Sequence, residues 1–262
     1  MSGVEGVAFD GAGLLWALAA VLGWLRREER WPAVAAWGLA AAGALLSLAG
    51  LTARGFAIAY WPLTNQFEFT HAFALALILT ALVLDRPGSC QVLRLGPPIA
   101  LLLWADAQWL LPVSLRRPTY PMPALRSLWL PLHAGSAALA YAALTLSSLA
   151  ILWAWSPGQE AWEAVGERVL QWGYVGLSAS ILLGAIWARQ AWAQFWNWDP
   201  KEAWALGTWL LYTACWHTRG VPSWRGRRHA ALHLLALGAL WFTFLGVPWL
   251  ARQVGLSSLH LY

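Results

Sequence analysis

The chain has 262 residues, 60% of them hydrophobic and only 11% charged, with a mean hydropathy of +0.53. A soluble domain carries about 25% charged residues, so this composition excludes one and predicts an all-α polytopic membrane protein with residues 1–262 in a single integral membrane domain. The formal charge of +5 fits cations flanking membrane helices and not nucleic-acid binding, and Cys90 and Cys215 form no CxxC, disulfide framework or zinc ribbon.

A helix needs about 20 apolar residues to cross a bilayer. Eight runs approach that length: Val7–Leu25, Ala33–Ala53, Phe67–Leu84, Leu95–Val113, Leu128–Trp155, Val169–Ala188, Ala203–Trp216 and Ala230–Trp249. The N-terminus has no basic segment before the first run, which is therefore expected to remain as a span. Arginines concentrate between Arg219 and Arg228, and cations favour the inner side. That places both termini outside, with the loop between spans six and seven external as well.

Thr64, Asn65 and Glu68 stand at the mouth of the third span and read first as a helix start, Thr64 or Asn65 capping and Glu68 in the first turn. His71 lies about one turn inside that span. In the fourth span Asp106 is either an intramembrane functional group or a residue near the outer surface that reaches water. Arg116, Arg117 and Arg126 follow in a proline-rich outer segment and call for an anionic partner: a ligand carboxylate, or anionic lipid. His133 opens the fifth span. Glu160, Glu163, Glu167 and Arg168 read as a short, solvated amphipathic segment on the inner surface.

The external loop Trp192-Ala193-Gln194-Phe195-Trp196-Asn197-Trp198-Asp199-Pro200-Lys201-Glu202 is the most distinctive stretch. Its indoles offer flat, polarizable faces. Pro200 disfavours helix at Asp199, which is placed to cap the next one. An aromatic, charged, restricted loop at a membrane surface suits a flat ligand with an apolar body and charged edges, as haem is. Of the six histidines, His133 and His260 fall on this side from distant parts of the chain. Two imidazoles can take both axial positions of haem iron. His217 ends the seventh span on the opposite side, where either His233 or a residue of another protein is placed to complete an inner haem site. His229 sits among arginines and reads as solvated.

Trp196-Asn197-Trp198-Asp199-Pro200-Lys201-Glu202-Ala203-Trp204 resembles the tryptophan-rich "WWD" signature of haem-handling membrane proteins. The continuation through Trp209-Leu210-Leu211-Tyr212 to His217-Thr218-Arg219, with Pro62–Glu68, Leu132-His133, Trp224-Arg225-Gly226 and Phe244–Val247, is most similar to the CcsA (ResC) family. The similarity covers about residues 60–262. It implies maturation of c-type cytochromes. Haem b is carried as substrate to the outer face of the bacterial cytoplasmic membrane, beside a CcsB-like membrane protein, and attached to apocytochrome c through a Cys-x-x-Cys-His segment. It implies that His133 and His260 bind external haem, that His217 binds an intramembrane haem, and that Trp192, Phe195, Trp196 and Trp198 contact the macrocycle. Asp199, Lys201 and Glu202 belong to the same signature, and Lys201 with Arg116, Arg117 or Arg126 would meet the propionates. The family usually has Gly where Ala193 stands, and His260 lacks the usual segment after it. Two other functions compete: a small-solute transporter built on Asp106, and a non-catalytic haem-relay factor of the HemX type.

Overall fold

The computed structural model describes residues 3–25, 30–85 and 92–254. His260, with the expected external tail, and Cys90 lie outside the described residues. Among the described residues there is no strand. The main helices are α1 (Gly3–Trp24), α2 (Arg30–Ile58), α3 (Gln66–Leu84), α4 (Gly96–Ala105), the one-turn α5 (Val113–Arg116), α6 (Trp129–Trp153), α7 (Ala161–Trp192), α8 (Pro200–Thr218), α9 (Arg227–Trp241) and α10 (Val247–Val254). Among the described residues six stretches are long and apolar enough to cross a membrane: α1, Trp31–Ile58 of α2, α3, α6, α7, and the continuous Arg227–Val254. The protein is a polytopic α-helical membrane protein. The fourth and seventh expected spans are the shorter or less apolar helices, α4 with its π-turn Asp106–Leu110, and α8.

Two compact units divide the chain, Met1–Arg126 and Ser127–Tyr262. In the first, α1 and α3 each pack against both α2 and α4, which closes a ring of four helices. In the second, α6 and α8 each pack against both α7 and α9. The fourth helix of each ring runs into a π-turn, Asp106–Leu110 after α4 and Phe242–Gly246 after α9.

The first unit is organised by a guanidinium. Arg54 was expected just past the second span, but α2 runs on to Ile58 and buries Arg54 completely, at 0% exposure. Arg54 Nε donates to Glu68 Oε1 at 3.0 Å and Nη1 donates to Glu5 Oε1 at 3.4 Å. Nη1 also donates to the Arg116 carbonyl at 2.7 Å, while Nη2 donates to those of Leu115 at 3.2 Å and Arg117 at 2.9 Å. All five guanidinium donors thus have acceptors. Asn65 caps α3, accepting from Glu68 N at 3.0 Å, so the capping reading is correct. Glu68 does more than cap, because its Oε2 also accepts from Thr64 N at 2.7 Å and Thr64 Oγ1 at 2.8 Å. The carboxylate therefore holds the α2–α3 turn and the Arg54 charge together.

In the second unit α6 and α7 run antiparallel at close range. A methyl group at Gly173 would sit 2.6 Å from Leu144 Cγ, and one at Gly184 2.8 Å from the ring of His133. Small residues let helices approach where lipid supplies no hydrophobic drive between them.

Removing one partner of a buried ion pair strands the other charge, at a cost of about 3–5 kcal/mol. Arg54→Met, measured by unfolding of the purified protein in detergent, is expected to lose stability on that scale. A loss below about 1 kcal/mol, the scale of an exposed pair, would show that the guanidinium does not organise the first unit.

Candidate functional site

His133 lies in the second turn of α6, facing α7. Its Nδ1 is 2.8 Å from the Ser180 carbonyl oxygen and 3.2 Å from Ser180 Oγ. A carbonyl only accepts, so Nδ1 carries the hydrogen and the neutral ring keeps its lone pair on Nε2. Trp187 lies parallel to the imidazole, with ring centroids 6.2 Å apart and planes 6° apart. A carbonyl on the second nitrogen is the arrangement that orients a ligating imidazole and raises its basicity.

Trp187 in turn meets Trp192 edge-on, with centroids 6.1 Å apart, and Trp192 is the last residue of α7. The tryptophan loop therefore begins one aromatic contact away from Trp187, at the end of the unit that carries His133. Ala193 ends the helix in the left-handed region, with φ 63° and ψ 12°. That is the conformation for which glycine is the usual residue at this position. Arg189 Nη1 donates to the Ala193 carbonyl at 2.7 Å, and its guanidinium stands 5.9 Å from the Phe195 ring centre.

The loop closes on a capping box. Asp199 Oδ1 accepts from Lys201 N at 2.9 Å, and Glu202 Oε2 accepts from Asn197 N at 2.8 Å and Asp199 N at 3.3 Å. Asp199 and Glu202 are buried and hold the turn. Both carboxylates hold main-chain N–H groups of the loop. Phe195 is 58% and Trp198 70% exposed, Trp196 meets Trp198 edge-on at 5.8 Å, and Lys201 is half-buried. Trp198 itself has φ 56°, an outlier for a bulky side chain.

The other expected residues divide. Arg116 donates to the carbonyls of Gln108 and Leu111, and so ties down the π-turn that starts at Asp106. Arg126 donates to the Pro121 carbonyl at 2.8 Å and lies 3.9 Å from the centre of the Tyr120 ring. Arg117 and Arg126 are exposed and Arg116 is half-buried. His217 is exposed in the last turn of α8, whereas His233 is fully buried with Nδ1 3.2 Å from Ser148 Oγ, so the two imidazoles face different surroundings. His229 is buried and 2.7 Å from Glu167 Oε1, not solvated. The acidic segment before the sixth span is not a separate surface element, because α7 begins at Ala161 and runs through it.

Residues missed at the sequence level include Arg54, Ser180, Trp187 and Arg189. A charge within reach of an apolar run was the available signal for Arg54, and an arginine four residues before a helix end for Arg189.

A ring-stacked, carbonyl-oriented imidazole thus stands beside an exposed aromatic loop in a polytopic helical membrane protein. The family model for the cytochrome c assembly protein matches residues 36–254, and the chain belongs to that family. Its relatives include CcsA proteins. The cytochrome c biogenesis protein CcsA of Synechococcus elongatus is 30% identical over 88% of this chain and 87% of its own. The CcsA of Guillardia theta is 30% identical over 78% and 77%, and that of Pyropia yezoensis 28% over 81% and 82%. The solved structure of the cytochrome c haem lyase CcmF matches with a TM-score of 0.74 at 19% identity, over 92% of this chain and 46% of that one. This chain spans just under half of CcmF, and that likeness is one of fold.

Glycine relieves the left-handed strain at Ala193, worth about 1–2 kcal/mol, against an entropic cost of about 0.5–1 kcal/mol. Ala193→Gly is expected to raise the melting temperature and to leave the fold unchanged. A lower melting temperature would show that the methyl group makes a contact outweighing the strain.

Proposed function

We propose that this cytochrome c maturation protein carries haem b to the outer face of the bacterial cytoplasmic membrane and presents it there for covalent attachment. The observation that carries the reading is the His133 imidazole, fixed by the Ser180 carbonyl with its lone pair on Nε2, beside the tryptophan loop.

His133 supplies one axial nitrogen and His260 the other. Trp192, Phe195, Trp196 and Trp198 receive the macrocycle, and Lys201 supplies a cation for a propionate. Apocytochrome c brings its Cys-x-x-Cys-His segment to the exposed edge. Each thiol S–H adds across a vinyl C=C, forming one C–S and one C–H bond with no leaving group. The segment's histidine takes over an axial position. The chain contributes positioning and shielding of the iron more than acid–base chemistry.

His217, exposed at the other end of α8, serves an inner haem. Its opposite ligand comes from a CcsB-like membrane protein, because His233 is buried and engaged with Ser148. With eight spans, both termini and the tryptophan loop lie on the periplasmic side.

His133→Ala is expected to lose the low-spin haem spectrum of the purified protein. Gly184→Val, whose added bulk would meet the His133 ring at the 2.8 Å approach, is expected to reduce haem content at least several-fold. Retention of full low-spin haem in both variants would refute the external site.

A further inference from the structure

A second cluster of titratable side chains stands at the opposite end of the α6–α9 ring from the tryptophan loop. Glu167 of α7 and His229 and His233 of α9 each offer one ligand atom, and these atoms lie within 4.8 Å of one another. His229 Nε2 is 2.7 Å from Glu167 Oε1. Glu167 Oε2 and His233 Nε2 are buried with no hydrogen-bond partner. His233 is 0% exposed.

The hydrogens can be assigned from the carbonyls that end two chains of hydrogen bonds. Tyr212 Oη donates to the Leu144 carbonyl at 3.4 Å, so its oxygen accepts from Ser148 Oγ at 3.0 Å. Ser148 Oγ in turn accepts from His233 Nδ1 at 3.2 Å. Likewise Thr218 Oγ1 donates to the Ala214 carbonyl at 2.8 Å and is left to accept from His229 Nδ1 at 3.3 Å. Both imidazoles therefore carry Nδ1–H and, when neutral, keep their lone pairs on Nε2. A lone pair 2.7 Å from a carboxylate oxygen is repulsive unless a proton or a cation joins them. One proton satisfies that contact alone. It leaves His233 Nε2 and Glu167 Oε2 buried and unsatisfied, a pair of exceptions that native interiors rarely tolerate. A cation answers all of them.

We propose that Glu167, His229 and His233 form a binding site for one divalent first-row transition-metal ion of the Zn²⁺ type. Two imidazoles and a carboxylate match such ions, whereas Mg²⁺ and Ca²⁺ take oxygen ligands throughout. His229 and His233 are four residues apart on one helix face. Each has a hydroxyl on its second nitrogen, as oriented metal-ligating histidines require. Three protein ligands leave a fourth position for water. Glu167, at 21% side-chain exposure, opens the way in. Arg227 and Arg228 begin the same helix but are exposed, Arg227 beside the Trp155 ring and Arg228 donating to the Ser223 carbonyl, which turns their charge away. The ion would clamp α7 to α9 beside His217.

The test is equilibrium dialysis of the full-length, tag-free protein in detergent against Zn²⁺ after chelator treatment, with zinc X-ray absorption on the product. One bound Zn²⁺ per chain with two imidazoles in its shell is expected. Glu167→Gln and His233→Gln are expected to weaken binding at least about tenfold. No stoichiometric Zn²⁺, a shell without two imidazoles, or variants that bind as wild type would overturn the site and leave an imidazolium–carboxylate pair. If either variant fails to fold, the wild-type imidazole count decides alone. Because His133 takes no part, failure here leaves the haem reading standing.

Discussion

Inside a bilayer no water is available to satisfy a buried polar group, so each must find its partner within the protein. That constraint shapes both units. In the first, a fully buried arginine has an acceptor for each of its five donors, and the carbonyls of residues 115–117 are drawn onto it. In the second, hydroxyls of Ser148, Tyr212 and Thr218 pass hydrogen bonds onward to main-chain carbonyls. The same requirement fixes His133, whose ring is anchored to the backbone of the neighbouring helix.

The tryptophan loop obeys the opposite logic. Its two carboxylates face inward, and two of its aromatic side chains face outward. Asp199 and Glu202 hold the backbone from beneath, and Phe195 and Trp198 stand exposed. Two residues in the left-handed region, Ala193 and Trp198, maintain this inversion at a conformational cost. Such strain persists only where the surroundings over-determine it, and it gathers at functional sites. Here the capping box supplies the over-determination.

Much of this was legible in the sequence. The apolar runs located the helices, Asn65 and Asp199 announced their caps, and the loop's composition marked the candidate site. What escaped was non-local. Arg54 read as a loop charge because the apolar run ended at Ala53, yet the helix continued to Ile58 once Glu5 and Glu68 offered it partners. His229 has arginines as sequence neighbours and so read as solvated; its burial comes from Glu167, sixty-two positions away. The acidic segment hid the start of α7 because its buried residues, Trp162 and Gly166, are few and interspersed among charges. The acceptor that orients His133 is a main-chain carbonyl, a group every residue has, and no pattern of side chains reveals it.

The proposed haem presentation depends on an imidazole nitrogen of His133 bonding to haem iron. Replacing His133 by Met exchanges that nitrogen for a thioether sulfur while keeping an axial ligand available. Magnetic circular dichroism of the ferric, haem-loaded His133→Met protein is predicted to show a sulfur-to-iron charge-transfer band that the wild-type protein lacks. A spectrum identical to wild type, with haem still bound, would place the iron elsewhere and contradict the account.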